Sequence, residues 1–151
     1  MSVRRVSGPG VKVETVMREL DGFVGKTGWF ETAKYEDDTP VAYVASIHEF
    51  GSPEQGIPPR PTMRPTAAQN EQDWGALMGQ GARAVLRGER APSDVLELVA
   101  LRAASDVGDA IRTLTSPPLK PATIERKGFS KPLVDTGLML QSVTGVVEPK
   151  A

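Results

Sequence analysis

The sequence predicts an α+β domain in which a small antiparallel sheet packs with several helices, and a long proline-rich loop interrupts them. Three observations carry that prediction. Apolar residues recur at helical spacing in several windows, with charged residues between them. Two short windows, one around KTGWFETAKY and one around VTGVV, are patterned as strands instead. Thirteen prolines and fifteen glycines in 151 residues gather at a few places, so the ordered elements are joined by shaped loops.

Residues 1–10 read as a flexible leader closed by Gly8, Pro9 and Gly10, and residues 11–151 as a single α+β domain. Val13, Val16, Met17, Leu20 and Val24 predict a short amphipathic helix ending at Gly22 and Gly25. KTGWFETAKY, with Trp29, Phe30, Thr32 and Tyr35, predicts a strand that the polar EDDT ends. Thr39 before Pro40 predicts a helix start, a capping hydroxyl followed by proline in the first turn. Val41, Val44, Ala45 and His48 form one face of that helix. Tyr43, Ile47 and Phe50 form another, which predicts burial on more than one side, and Gly51 supplies the stop. The proline-rich loop then runs from Ser52 to about Arg64, a length that is uncommon inside a domain unless it is functional or partner-bound.

Ala67, Ala68, Trp74, Leu77, Met78, Gly81 and Val85 predict a long helix, with the Trp74 and Met78 stripe as core packing. RGERAP breaks it. Ser93 or Asp94 is expected to cap the next helix, with Val95, Leu98, Val99, Val107, Ile111 and Leu114 inward, and SPPLKPA ends that helix. The remaining segment predicts a loop over 115–133, a short helix from Asp135, and a closing strand in which Val143 and Val147 share a face with Gly145.

The bulk composition narrows the function. Hydrophobic residues at 39% and charged residues at 25% are ordinary for a soluble domain, and a net charge of -1 gives no general basis for nucleic-acid or anionic-membrane binding. With no cysteine there is no disulfide, thiol nucleophile or Cys-ligated metal. No apolar run approaches the ~20 residues that span a bilayer. MSVRRVSGPG lacks the hydrophobic region of a secretory signal, so the expectation is a protein made and kept in a cytoplasm.

No constellation points to catalysis, a cofactor or a metal. His48 and Glu49 are adjacent, so on a helix they diverge by about 100°. A zincin pair needs a second histidine, and the chain has one. Asp37 and Asp38 lack the further acidic partner of a calcium loop and read as a solvated turn. Ser46, Ser130 and Ser142 lie in no G-x-S-x-G setting, and GPG and GQG match no phosphate loop. The expectation is therefore a non-enzyme without cofactor. Arg60 and Arg64 differ, because each adjoins proline in PPRP and MRP. A segment so stiffened loses little entropy on docking, and arginine is enriched in interface hot spots, so both are expected at subunit contacts. The competing expectation is a small nucleic-acid-binding module whose basic surface comprises Arg60, Arg64, Arg126, Lys127 and Lys131.

Three stretches taken together, GWFETAKYEDDTPVAYVASIHEFG, IPPRPTMRP and LVDTGLMLQSVTGVV, resemble the tail-completion or virion-morphogenesis proteins of tailed bacteriophages. Those proteins share an E-F-G, spacer, P-x-R-P-F block and a late D-T-G-x-L-x-x-S block. Glu49, Phe50, Gly51, Pro59, Arg60 and Pro61 approximate the first. Thr62 stands where the pattern has an aromatic or large apolar residue, a place that Met63 could fill. Asp135, Thr136, Gly137 and Ser142 match the second, with Met139 in the leucine position. The resemblance spans roughly residues 26–147. It implies a structural protein of the virion neck, made in the host bacterial cytoplasm. Six- or twelve-fold rings of such proteins join the head connector to the tail tube or terminate the tail, and the genome passes through them without specific contact. It implies no membrane partner. A closed ring needs one surface that presents and another that receives, and a stiff Ser52–Pro65 arm fits the first role, so Glu49, Phe50, Gly51, Pro59, Arg60, Pro61, Met63 and Arg64 are expected at the subunit contact.

Overall fold

A computed structural model describes residues 13–128 and 137–151. In chain order the elements are α1 (Val13–Asp21), β1 (Phe23–Gly28), α2 (Val41–Phe50), a 3-10 turn (Pro53–Gln55), α3 (Met63–Leu86), α4 (Pro92–Thr113), α5 (Pro121–Lys127), α6 (Leu138–Ser142) and β2 (Thr144–Pro149). Among the described residues, then, six helices accompany one two-stranded antiparallel sheet, which is the α+β class with a small sheet.

The sheet joins the two ends of the described chain. Phe23 pairs with Pro149 and Gly28 with Thr144, and the ladder approaches α4 at Gly25, Thr27 and Gly145. Small residues make that approach possible. A Cβ at Gly145 would sit 2.4 Å from the Ala100 carbonyl carbon, and one at Gly25 would sit 3.3 Å from the Leu96 oxygen. Thr27 Oγ1 donates to the Ala100 carbonyl at 2.8 Å and fixes the strand on the helix.

Helix α4 also carries both hydrophobic clusters. Toward its C-terminal half, Val107 and Ile111 meet Val41 and Ala45 of α2 and Met139 of α6. Trp29 packs here, and its indole N–H donates to the Met139 carbonyl at 2.7 Å. Toward its N-terminal half, Val95 meets Val16 of α1 and Val85 of α3. Gly81 admits Val95, because a Cβ there would fall 2.2 Å from Val95 Cγ1. The Trp74 indole donates to Asp106 at 2.8 Å, which pins α3 along α4.

Several sequence expectations hold: the first helix stops at Gly22, α3 and α4 lie where periodicity places them, proline ends α4, and a strand closes the chain. Others are corrected. The first strand is Phe23–Gly28, not the KTGWFETAKY window, because Gly28 turns the chain at φ 149° and sends Trp29 into the core. Val24 accordingly belongs to this strand and not to the helix face. Pro40 is the α2 N-cap and Thr39 caps nothing; its N–H is taken by Asp37 Oδ1 at 3.0 Å. Only one face of α2 is covered, since Tyr43 is 57% and Phe50 66% exposed. Helix α4 starts at Pro92, which leaves Ser93 and Asp94 in its first turn with no side-chain cap, and Leu98 faces outward.

The proline-rich loop is shorter and more ordered than expected. Ser52 bridges to Ile57 around the 3-10 turn, and α3 begins at Met63. Within the segment expected to be loop, Pro121 starts α5 and Gly128, at φ 78°, ends it. The helix expected from Asp135 is described from Leu138, with Gly137 as its N-cap. Asp135, Thr136, Lys131 and the 1–10 leader lie outside the described residues. Among those described, no helix is long and apolar enough to cross a membrane.

The glycine contacts predict that Gly145→Ala forces β2 away from α4. Overpacking of this kind costs about 1–3 kcal/mol. Thermal unfolding followed by circular dichroism should show a midpoint lower by roughly 2–12 °C for a domain of this size; an unchanged midpoint would show that the sheet does not rest on α4 through Gly145.

Candidate functional site

The stretch from His48 to Arg64 is folded around one carboxylate. Glu49 leaves the last turn of α2 and is only 7% exposed. Its Oε2 accepts the backbone N–H of Thr62 at 2.7 Å and of Met63 at 3.0 Å, and its Oε1 accepts that of Arg64 at 3.0 Å. These are the donors that the first turn of a helix leaves unpaired. The Thr62 hydroxyl does not cap α3, and Pro65 has no N–H to satisfy, so Glu49 completes the turn from another helix. The negative charge also suits the positive end of the α3 dipole.

Arg64 closes the arrangement from the other side. Its Nε donates to Glu49 Oε1 at 3.0 Å and its Nη2 to the Glu49 carbonyl at 3.0 Å. The guanidinium carbon lies 4.8 Å from the centre of the Phe50 ring, within cation–π range. Burial alone would push the Glu49 carboxyl up. The N–H groups of Arg64, Met63 and Thr62, with the Arg64 guanidinium, outweigh that effect and hold it below its ordinary value.

Gly51 makes the turn that follows. It takes φ 77°, and a Cβ there would stand 3.0 Å from the Ile57 oxygen and from Pro59. The chain then doubles back, so that the Arg60 N–H donates to the His48 carbonyl at 2.6 Å. The two halves of the E-F-G and P-x-R-P block are therefore partners in space. Pro61 is half-buried beside Thr62, and Met63 packs onto the α2–α4–α6 cluster.

Arg60 does not project, which corrects the expectation of an arm carrying it outward. It is 4% exposed, and its Nε and Nη2 donate to the carbonyls of Pro117 and Pro118 at 2.8 and 2.9 Å. Those two carbonyls cannot be read from sequence as partners, because they arrive from a segment nearly sixty residues away with no side-chain signal. No carboxylate pairs with this guanidinium among the described residues. It forms the floor of a cleft of about 340 Å³ walled also by His48, Lys120, Arg126 and Lys127. A second hollow of about 400 Å³ shares His48 and Lys127 and is bounded by Tyr35, Glu36, Asp37 and Met139.

His48 lies between the two hollows, and its Nδ1 is buried without a hydrogen-bond partner. Burial, then the charges of Arg60 and Lys127, push its pKa down to about 4. The imidazole is therefore neutral at pH 7, and Glu49 is committed to α3, so the adjacent pair forms no acid–base dyad. The late motif is structural where it is described. Gly137 takes φ 78° to begin α6, Met139 is 3% exposed in the core, and Ser142 Oγ donates to the Leu138 carbonyl at 2.6 Å. Among the described residues no three His, Asp or Glu side chains gather as a metal site.

Two outcomes test this geometry. Glu49→Ala strips three main-chain donors and a guanidinium of their acceptor and should cost about 3–5 kcal/mol, read from urea unfolding at constant slope; a loss under 1 kcal/mol would mean that water caps α3 equally well. The wild type should also lose stability as pH falls from about 6.5 to 4, because the unfolded chain protonates His48 while the folded one does not. The Glu49 contribution is present above pH 4.5 and fades only below it, so His48→Asn should flatten the upper part of the profile alone.

No protein-family model matches the chain, and comparisons with curated proteins and with solved structures find no match either.

Proposed function

We propose that the protein is a structural component of the tailed-bacteriophage neck, a homo-oligomeric ring that joins the head connector to the tail or terminates the tail. It is assembled in the host cytoplasm, resides in the virion and performs no catalysis. The observation that carries this reading is the outer face of α2. Tyr43 and Phe50, seven residues apart and so on one side of the helix, are 57% and 66% exposed, and Arg64 lies over the Phe50 ring. Exposed tyrosine, phenylalanine and arginine in one patch are the composition of an interface centre. The patch belongs to the block whose residues resemble the neck proteins. The two-stranded sheet adds support, since neither outer edge is paired among the described residues.

The surface offered to a neighbour is thus Phe50 and Arg64 with Tyr43, while Arg60 and Thr62 support it from inside. The nucleic-acid alternative loses part of its surface, because Arg64 is committed to Glu49 and Arg60 is buried. Arg126 stays exposed, beside Lys120.

Light scattering on the purified protein is expected to give a ring mass of six or twelve copies, and Tyr43→Ser with Phe50→Ser is expected to give monomers with unchanged circular dichroism. A monomeric wild type, or a double variant of undiminished mass, would contradict the reading. Filter binding at low salt should retain no DNA; saturable retention that falls steeply with added salt would favour the alternative.

A further inference from the structure

We propose that the cleft between the α2–α3 connection and α5 is a binding site for a terminal phosphate group, carried by inorganic phosphate or a phosphomonoester. Arg60 is the first reason. A guanidinium that is 4% exposed and, among the described residues, bonded through its side chain to two backbone carbonyls and to no carboxylate is a desolvated cation without a counter-ion there. The carbonyls of Pro117 and Pro118 orient its Nε and Nη2 but bring dipoles, not charge. A bound anion supplies the missing neutralisation.

The walls are the second reason. Lys120, Arg126 and Lys127 line the same cleft, and no acidic side chain among the described residues does. Glu49 is consumed by the first turn of α3, and Glu36 and Asp37 line the adjoining hollow instead. His48 from α2 contributes a ring whose buried Nδ1 has no partner. Arginine and lysine together around a concavity suit a tetrahedral dianion, with the guanidinium giving directional donors and the ammonium groups point charge. A volume of about 340 Å³ holds a phosphate and a small appended group, and is a pocket and not a groove that tracks a duplex.

His48 is the only histidine in the chain, so it reports on the cleft directly. Its pKa, about 4 in the free protein because of burial and the nearby Arg60 and Lys127 charges, must rise when a bound phosphate anion offsets those charges. The experiment is an NMR pH titration of the His48 imidazole in the full chain with increasing inorganic phosphate, against chloride and acetate at matched ionic strength. The expected result is a saturable rise toward 6.5 with phosphate alone. Lys120→Gln with Arg126→Gln, two exposed side chains whose loss leaves the fold intact, should weaken the apparent phosphate affinity at least about tenfold. No response to phosphate, an equal response to acetate or chloride, or an undiminished response in the double variant would overturn the site. So would tighter binding of an oligonucleotide that lacks a terminal phosphate, which would assign the cleft to phosphodiesters.

Discussion

Glu49 belongs by sequence to the end of α2 and by chemistry to the start of α3. Its carboxylate accepts three consecutive main-chain N–H groups and the Arg64 guanidinium, so the direction of a 24-residue helix is set by a side chain outside it. Every contact is charge-assisted and the carboxylate itself is buried, the setting in which such hydrogen bonds weigh most, while the Arg64 side chain reaches the solvent. Once α3 is fixed at this end, its far half can lie against α4 through Gly81 and Val95, and α1 can cover that contact.

The path of the chain between Glu49 and Arg64 follows from the same constraint. A connection of twelve residues between Phe50 and Met63 must return to the helix it left, and Gly51 and the Ser52–Ile57 bridge accomplish the reversal. Arg60 is thereby turned beneath the connection and toward Pro117 and Pro118, while Phe50 and Arg64 are left outside. One latch thus produces two surfaces of opposite kind: an aromatic–guanidinium patch open to solvent and a cationic cleft with a buried floor. The first suits contact with another protein surface, and the second suits an anion.

Local patterns in the sequence carried much of the fold. The 3.6-residue periodicity located α3 and α4, glycine and proline marked most ends, and the closing strand could be read from Val147 and Gly145. The failures share a cause. Trp29 and Tyr35 have strand propensity, but tertiary packing against α6 and α2 takes them into the core from irregular backbone. Helix α5, at seven residues, is too short for periodicity to register. The site was legible only in part. The E-F-G and P-x-R-P pieces could be singled out, yet their partnership could not, because Glu49 meets Thr62 across thirteen residues and Arg60 meets Pro117 across fifty-seven. Proline neighbours made Arg60 look like part of a projecting arm, whereas the same stiffness holds it inward.

The claim that one carboxylate closes α3 is tested most directly by native-state amide hydrogen exchange at Thr62, Met63 and Arg64. The account predicts slow exchange at all three in the wild type, close to that of the helix interior, and fast exchange at the same positions in Glu49→Gln under conditions where the rest of α3 stays protected. Fast exchange at these amides in the wild type, or equal protection in the variant, would contradict it.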